Sequence, residues 1–215
     1  MPGFMNGERS TALLRASLAS AGFAVHGWGE GINFGARTDA MVRLGQKVEA
    51  LGRASGGELI LIGWSLGGLF ARVLAQQHPE ACRLVVTLGS PFSGDRRANN
   101  ASRLYEAIND HKVDNPPLTG DPKVKPLART IAVWSVRDGI VAPACAMGEA
   151  VQSDLRIEVP FKHFELVASR GAVVSVLRIL RENLDWLRST CNCWNTPSRS
   201  AICQWPLTRS SLPKP

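Results

Sequence analysis

The sequence ELILIGWSLGGLFARVL, residues Glu58–Leu74, decides the fold of this chain. It opens with a short, continuous apolar run, which is typical of a parallel β-strand buried on both faces. It continues with apolar residues at helical spacing, which predict an amphipathic helix: Leu66, Leu69, Phe70, Val73 and Leu74. A buried strand that leads directly into a helix indicates one unit of an α/β fold.

The junction between this strand and helix has the pattern Gly63-x-Ser65-x-Gly67. A strand that becomes a helix within a few residues forces its central residue into a strained and exposed position. Glycines two residues before and after it leave room for the turn. The helix also directs its N-terminal amides at the same point, where they can stabilise an oxyanion. We therefore predict that Ser65 is a nucleophile.

Strand and helix patterns alternate along the rest of the chain. The predicted helices span about 10–21, 38–53 (with Thr38 as the cap) and 173–187, and the predicted strands span 22–28, 83–88, 130–136 and 155–159. The last of these strands alternates apolar and polar residues, as an edge strand does. This order predicts an α/β fold with a mostly parallel central sheet flanked by helices.

One domain is expected over residues 1–187, with one insertion and a separate tail. Residues 92–127 interrupt the alternation with prolines and polar residues, and an irregular insertion of this length is more often a lid or binding loop than a simple connection. Residues 188–215 hold three of the five cysteines and no periodic pattern, so an irregular basic tail is expected. The glycine-rich stretch 29–35 lacks the full spacing of a phosphate-binding loop.

The charge of the chain does not favour binding to nucleic acid. The net charge is +7, and residues 188–215 contribute +4 of it because they hold four basic residues and no acid. No basic stripe interleaved with aromatic residues occurs elsewhere. No apolar run approaches the roughly 20 residues of a membrane span, and the first residues do not resemble a signal peptide. We therefore expect a cytoplasmic protein without stable membrane insertion, whose irregularly spaced cysteines are reduced thiols and hold no metal.

A nucleophilic serine needs a base and a group that orients the base. His163 follows the last predicted strand, at the carboxyl edge of the sheet, where ligands of such sheets bind. Asp138 directly follows the strand predicted at 130–136, in an Asp-Gly pair that is also typical of an ordinary turn. His163 and Asp138 are the preferred base and acid, and His111 and Asp95 are the alternatives.

The chain resembles α/β-hydrolases, in particular bacterial serine esterases and triacylglycerol lipase-like proteins. The resemblance spans residues 2 to about 187 and rests on five segments: Pro2-Gly3-Phe4, Gly63-Trp64-Ser65-Leu66-Gly67-Gly68, Thr87-Leu88-Gly89-Ser90-Pro91, Asp138-Gly139-Ile140-Val141 and His163. It implies Ser65 as the nucleophile, His163 as the base and Asp138 as the carboxylate that orients the base. It also implies an oxyanion hole formed by the backbone amides of Leu66 and Phe4.

Three features depart from the family pattern, and one of them is the tail after Arg188, which has no recognised counterpart in the family. Trp64 stands where many members have a histidine, and it is expected to shape the acyl pocket. The loop with Phe4 normally follows a strand in the middle of the sheet, and no strand pattern precedes it here. Three arrangements remain open: the preceding strands are absent, residues 22–28 pair directly with residues 58–64, or another chain or the tail fills the gap.

The resemblance implies a serine carboxylic-ester hydrolase, an esterase or lipase, that needs no metal or cofactor. The short insertion predicts a preference for short to medium acyl chains, in a small-molecule ester or lipid substrate. Two alternatives remain: an acyltransferase or thioesterase with the same triad, and a non-catalytic binding protein with a hydrolase-like fold.

Overall fold

A computed structural model describes residues 1–94 and 120–190, with side chains up to Leu184. Its centre is a sheet of four parallel strands in the order β1-β2-β3-β4. The strands are β1 (Leu59–Trp64), β2 (Cys82–Leu88), β3 (Arg129–Trp134) and β4 (Leu155–Glu158). Because the strands are parallel, the loops that follow them meet at one edge of the sheet.

Helices cover both faces of this sheet. The described α-helices are α1 (Ala12–Ser20), α2 (Thr38–Ser55), α3 (Leu66–Gln77), α4 (Pro143–Met147), α5 (Glu165–Ala168) and α6 (Arg170–Thr190), with 3-10 turns at Glu8–Thr11 and Ala150–Gln152. One core cluster packs α2 and α3 against the sheet through residues such as Leu44 and Phe70. A second cluster, with Leu14 and Val176, packs α1 and α6 on the opposite face. Burial on both faces explains the continuous apolar runs of β1 and β2.

The predicted α/β class and the parallel sheet are confirmed, with small shifts at the ends of elements. Thr38 is the first residue of α2 and not its cap, a position that Arg37 holds without a side-chain hydrogen bond. The helix α6 runs to Thr190, past the predicted start of the tail at Arg188. Of the predicted insertion, residues 95–119 lie outside the described part of the chain, as do the tail residues 191–215.

Residues 22–28 do not form a strand, contrary to the prediction: Gly22 lies in a turn with φ 91°, and residues 23–28 have no regular secondary structure. Phe23 and Val25 pack towards the core while Ala24 and His26 are exposed, which is the alternation that the sequence predicted. The segment does not pair with β1, because a cavity separates the two; the hydrogen bonds at that edge of β1 join Ile62 and Trp64 to Met1. The sequence pattern defines an extended conformation, but a strand also requires a neighbouring backbone with which to exchange hydrogen bonds.

Candidate active site

Ser65 lies at the turn between β1 and α3, as predicted. Its backbone has φ 54° and ψ −126°, a conformation that strains any residue other than glycine. A side chain on Gly63 would collide with the carbonyl oxygen of Gly67. A Cβ on Gly67 would lie 2.5 Å from the carbonyl oxygen of Met1. Both glycines are therefore required by the close approach of backbone to backbone around the serine.

Asp138 and His163 are brought together at the carboxyl edge of the sheet. The carboxylate Oδ2 of Asp138 lies 2.8 Å from Nδ1 of His163, and the side chains are 1% and 4% exposed. The backbone N–H of His163 also donates to the carbonyl oxygen of Asp138, at 3.1 Å. The pair is thus buried and held at two points, although 25 residues separate its members in sequence.

The second carboxylate oxygen of Asp138 is fixed by its own loop. Oδ1 accepts hydrogen bonds from the backbone N–H groups of Ile140, at 3.0 Å, and Val141, at 2.6 Å. These bonds form an Asx-type turn, the ordinary role of an Asp-Gly pair that the sequence left open. The structure shows that the turn and the contact with His163 coexist. Oδ1 accepts the hydrogen bonds that form the turn, and the turn orients Oδ2 towards the imidazole of His163.

Trp64 anchors the loop that carries His163. Its indole Nε1–H donates to the backbone carbonyl of His163 at 3.0 Å, and the two ring centroids lie 5.2 Å apart. The indole is 1% exposed and also packs edge-on against Phe164. The expectation that Trp64 shapes an acyl pocket is therefore wrong, because its side chain lies in the core beneath the histidine. Since Trp64 precedes Ser65 directly, this contact brings the histidine loop to the serine.

Gly89, which follows β2, leaves space for the Asp138–His163 pair. It has φ 54°, and a Cβ at this position would lie 2.8 Å from Oδ2 of Asp138 and 3.3 Å from Nδ1 of His163. The Leu-Gly-Ser-Pro run in the sequence is thus explained by the close packing of backbone against the buried pair. The sequence identified this run only through the resemblance and gave no physical reason for its glycine.

The amide of Leu66 and the loop with Phe4 lie on the other side of Ser65. Leu66 is the first residue of α3, so its N–H has no intrahelical acceptor. A Cβ on Gly3 would lie 3.0 Å from Cβ of Ser65, which places the Pro2-Gly3-Phe4 loop directly against the serine. The two elements predicted to form an oxyanion hole therefore both border Ser65.

Asn33 holds this loop in place, a role that sequence analysis did not predict. It is 2% exposed, and its side-chain Nδ2 donates to the carbonyl oxygen of Pro2 at 2.9 Å. Its backbone accepts a hydrogen bond from the N–H of Met5 and donates one to the carbonyl oxygen of Asn6. Through Asn33, the glycine-rich stretch 29–35 therefore stabilises the Pro2-Gly3-Phe4 loop beside Ser65. A short polar residue between glycines gives no distinctive signal in a single sequence.

The remaining candidate residues are either distant from the serine or not described. His26 is exposed in the segment 22–28, and His78 follows the far end of α3 next to Gly45. The alternatives His111 and Asp95 lie outside the described residues. Ser65 Oγ forms no hydrogen bond with another described residue. The bond from a catalytic serine to its base is often long until substrate is bound.

Large exposed apolar side chains occur in the segments that adjoin the serine and the histidine. Met5 and Phe34 are 47% and 40% exposed, and they are joined through the backbone bonds of Asn33. Phe164, next to His163, is 54% exposed. Large exposed apolar side chains around a polar centre are typical of a site that binds an apolar ligand.

Arg72 fastens the end of the predicted insertion to α3. Its guanidinium is fully buried, donates to the carbonyl oxygens of Pro122, Val124 and Gln152, and lies 4.1 Å above the ring of Phe92. Burial lowers the pKa of Arg72 to about 10, so the side chain remains charged at neutral pH. The carbonyl dipoles and the aromatic ring solvate this charge, and they fix the segment that leads back into β3.

Two absences concern only the described part of the chain. No helix there is long and apolar enough to cross a membrane. The same residues contain no group of three or more histidine, cysteine or acidic side chains that could hold a metal ion.

Comparison with known proteins identifies the fold. The model of the α/β hydrolase fold family matches residues 16–111. One similar solved structure is a methylesterase from Arabidopsis, which is 12% identical with a TM-score of 0.60; the match covers 84% of this chain and 97% of that one. Another is a structure of the metagenome-derived lipolytic enzymes LipS and LipT, which is 15% identical with a TM-score of 0.57; the match covers 84% of this chain and 91% of that one. A monoacylglycerol lipase from Paleococcus ferrophilus is also similar, with 15% identity and a TM-score of 0.55; the match covers 88% of this chain and 92% of that one. No curated protein matches the chain.

The chain therefore has the α/β-hydrolase fold. Its structural neighbours include esterases, lipases and thioesterases. Because their sequence identity to the chain is low, this likeness concerns the fold, and the activity must be argued from the site itself.

Proposed function

We propose that the chain is a serine carboxylic-ester hydrolase in which Ser65 is the nucleophile, His163 the base and Asp138 the group that orients the base. The observation that carries this proposal is the buried 2.8 Å contact between Asp138 and His163, which Trp64 fastens beside the strained Ser65. A buried, oriented imidazole next to a serine at such a turn is the arrangement that activates a hydroxyl for attack.

In the acylation step, Ser65 Oγ attacks the carbonyl carbon of the ester. The Nδ1–H of His163 donates to Asp138, which leaves the lone pair of Nε2 to accept the proton of Oγ. The carbonyl oxygen becomes an oxyanion and accepts hydrogen bonds from the amides of Leu66 and Phe4. When the intermediate collapses, the bond to the alcohol oxygen breaks, and the proton on His163 passes to the departing alcohol.

In the deacylation step, water takes the place of the alcohol. His163 removes a proton from the water as its oxygen attacks the acyl carbon, and the oxyanion again lies at the amides of Leu66 and Phe4. The bond to Ser65 Oγ then breaks, and the proton on His163 returns to the serine. The products are a carboxylic acid and the free enzyme, and no further reactant is needed.

The apolar side chains around the site favour substrates with an apolar acyl or alcohol group. Met5, Phe34 and Phe164 are large, exposed apolar side chains in the segments that adjoin the serine and the histidine. We propose short to medium acyl chains, because the predicted insertion that would cover them is short. Hydrolysis rates over a series of p-nitrophenyl esters from acetate to palmitate test this, and a clear preference for the longest chains would contradict it.

The proposed activity is tested with p-nitrophenyl butyrate and with a fluorophosphonate label. The chain should hydrolyse the ester and be labelled once, and Ser65→Ala should lose both activities. Ser175→Ala is the matched control, because Ser175 is a half-exposed serine on α6 whose hydroxyl bonds only to the helix backbone. Hydrolysis that survives in Ser65→Ala would refute the proposed nucleophile. A thioester substrate and an added alcohol acceptor, measured in parallel, separate hydrolysis of esters from the thioesterase and acyltransferase alternatives.

A further inference from the structure

Met5 has a strained backbone next to the candidate site. Its φ is 56°, in the left-handed region that residues other than glycine rarely adopt. Among the non-glycine residues that the structure describes, only Met5 and Ser65 have a positive φ. Strain of this kind persists only where surrounding contacts impose it, and it is concentrated at functional sites. The strain at Met5 therefore requires a cause in its surroundings.

Met5 is the third residue of a tight turn formed by residues 3–6. The N–H of Asn6 donates to the carbonyl oxygen of Gly3 at 3.1 Å, and this bond closes the turn. A turn with a positive φ at its third residue ordinarily has glycine or asparagine there. Methionine is therefore a poor residue for this turn, and contacts from outside the turn must hold it.

Asn33 supplies these contacts. Its backbone carbonyl accepts a hydrogen bond from the N–H of Met5 at 2.7 Å, and its own N–H donates to the carbonyl oxygen of Asn6 at 3.0 Å. Its side-chain Nδ2 donates to the carbonyl oxygen of Pro2 at 2.9 Å, and its Oδ1 accepts from the N–H of Gly35 at 3.1 Å. Asn33 is 2% exposed, so all four polar groups of a buried residue are used. Three of them hold the turn or the residue that precedes it.

The turn fixes the direction of the N–H of Phe4. This N–H shares a peptide group with the carbonyl of Gly3, and the two point in opposite directions because the peptide is planar and trans. Since the carbonyl of Gly3 is bonded to the N–H of Asn6, the N–H of Phe4 points away from the turn. The carbonyl of Phe4 is also held, because it accepts from the side-chain Nδ2 of Asn6 at 2.8 Å. Both peptide groups of Phe4 thus have a fixed orientation, next to a glycine that lies against Ser65.

We propose that Asn33 is a positioning residue, which holds this strained turn so that the N–H of Phe4 is aimed at the oxyanion. The inference rests on the proposed function, in which the N–H groups of Phe4 and Leu66 bind the oxyanion. Such donors stabilise a transition state only when they are fixed in advance at about 2.7–3.1 Å from the developing charge. The N–H of Leu66 is fixed by α3, whereas that of Phe4 lies in a loop and depends on Asn33. Asn33 acts through the turn and does not itself contact the reacting atoms.

Asn33→Ala tests this role, with Asn183→Ala as its matched control. Both asparagines are buried, at 2% and 6% exposed, and the Nδ2 of each donates to a backbone carbonyl, at 2.9 Å and 2.8 Å. With p-nitrophenyl butyrate, Asn33→Ala should lower kcat at least about tenfold and change KM less than about twofold, since complete loss of an oxyanion donor costs about 10²–10³-fold. Asn183→Ala should lower the Tm by a similar amount without this loss of kcat. Equal values of kcat in the two folded variants would overturn the proposal.

Asn33→Asp removes only the donor and serves where Asn33→Ala does not fold. The carboxylate keeps the size of the side chain and an acceptor for the N–H of Gly35, but it cannot donate to Pro2. Butylboronic acid measures the oxyanion site without turnover, because the tetrahedral adduct that forms when Ser65 Oγ adds to boron resembles the transition state. In Asn33→Asp its inhibition constant should rise at least about tenfold, in parallel with the fall in kcat. Unchanged inhibition and unchanged kcat in the folded variant would overturn the proposal.

A double-mutant cycle with Met5→Gly tests whether Asn33 acts through the strained turn. Glycine adopts a φ of 56° without steric cost, so a turn with glycine at this position needs less support. The fall in kcat caused by Asn33→Ala should therefore be at least about threefold smaller in the Met5→Gly chain than in the original chain. Equal falls in the two chains would show that the turn is not the route by which Asn33 acts, and would overturn the proposal.

Fluorophosphonate labelling of the original chain separates the two ways in which this inference can fail. A chain that neither hydrolyses the ester nor is labelled would refute the proposed function and this inference with it. A chain that does both, and whose Asn33 variants keep kcat and boronic acid inhibition, would refute the positioning role of Asn33 alone.

Discussion

The hydrogen bond from Trp64 to the backbone of His163 gives the sharpest test of how the site is assembled. The substitution Trp64→Phe keeps an aromatic ring against the histidine but removes the indole N–H that donates to the carbonyl oxygen at 3.0 Å. That carbonyl lies beside a side chain that is 4% exposed, so it is left without a donor in a buried place. A buried polar group that loses its partner costs about 1–3 kcal/mol.

Two quantities should change in Trp64→Phe, for the same reason. A loss of about 1–3 kcal/mol in the free energy of unfolding lowers the Tm by roughly 2–10 °C in a chain of this size. The value of kcat for p-nitrophenyl butyrate should fall about tenfold or more while KM changes little, because the base is displaced from its geometry without loss of the substrate-binding surface. Thermal unfolding followed by circular dichroism and steady-state kinetics measure the two effects.

Trp28→Phe is the matched control for this experiment. Trp28 is also buried, at 6% exposed, and its indole donates to the backbone carbonyl of Gly31 at 3.1 Å. This substitution removes the same kind of bond from the same kind of residue, but away from His163. It should lower the Tm by a similar amount with a smaller effect on kcat. Equal losses of kcat in the two variants, or an unchanged kcat in Trp64→Phe, would refute the argument that Trp64 positions the base.

Three further predictions concern the charged pair, the glycine turn and the pH dependence of stability. Asp138→Asn should lower kcat about 10⁴-fold, because the amide no longer accepts the Nδ1–H of His163. Hydrolysis assays on a folded variant measure this change. Near-normal turnover would exclude Asp138 as the group that orients His163. Gly67→Ala should lower both kcat and Tm, because its Cβ would lie 2.5 and 2.6 Å from the carbonyl oxygens of Met1 and Pro2; hydrolysis assays and thermal unfolding measure this, and an unchanged kcat and Tm would contradict the close packing at the turn. The buried α-amino group of Met1, with a pKa lowered from 8.0 to about 5, binds fewer protons in the folded chain than in the unfolded one, so its contribution makes stability rise from about pH 5 to pH 8. Urea unfolding across this range, with and without N-terminal acetylation, measures that contribution, and identical pH profiles would contradict it.

The sequence predicted the three side chains of the candidate site because each follows a strand of a parallel sheet. Ser65, Asp138 and His163 come after β1, β3 and β4, and parallel strands bring such positions to one edge whatever their separation along the chain. This rule needs only the order of elements and not the contacts between side chains. It therefore placed Asp138 and His163 next to each other before any distance was known.

The contacts that hold these residues in place could not be predicted in the same way. The bond from Trp64 to the carbonyl of His163 joins residues 99 positions apart, and the bond from Asn33 to Pro2 joins residues 31 apart. Each depends on the direction of a single N–H group, which neither periodicity nor composition encodes. Their residue types also gave no signal, because a tryptophan in a core and an asparagine in a loop are ordinary.

The structure of residues 22–28 could not be predicted from their alternating pattern alone. Alternation in sequence indicates which side chains face the core, but hydrogen bonding in a strand depends on a second backbone that lies at the right distance. Here Met1 supplies that backbone only opposite Gly63, and its carbonyl oxygen also packs against Gly67 of the turn that carries Ser65. Met1 is thus the residue from which the Pro2-Gly3-Phe4 loop extends towards the serine. Its hydrogen bonds to Ile62 and Trp64 therefore hold the beginning of the loop that is proposed to bind the oxyanion.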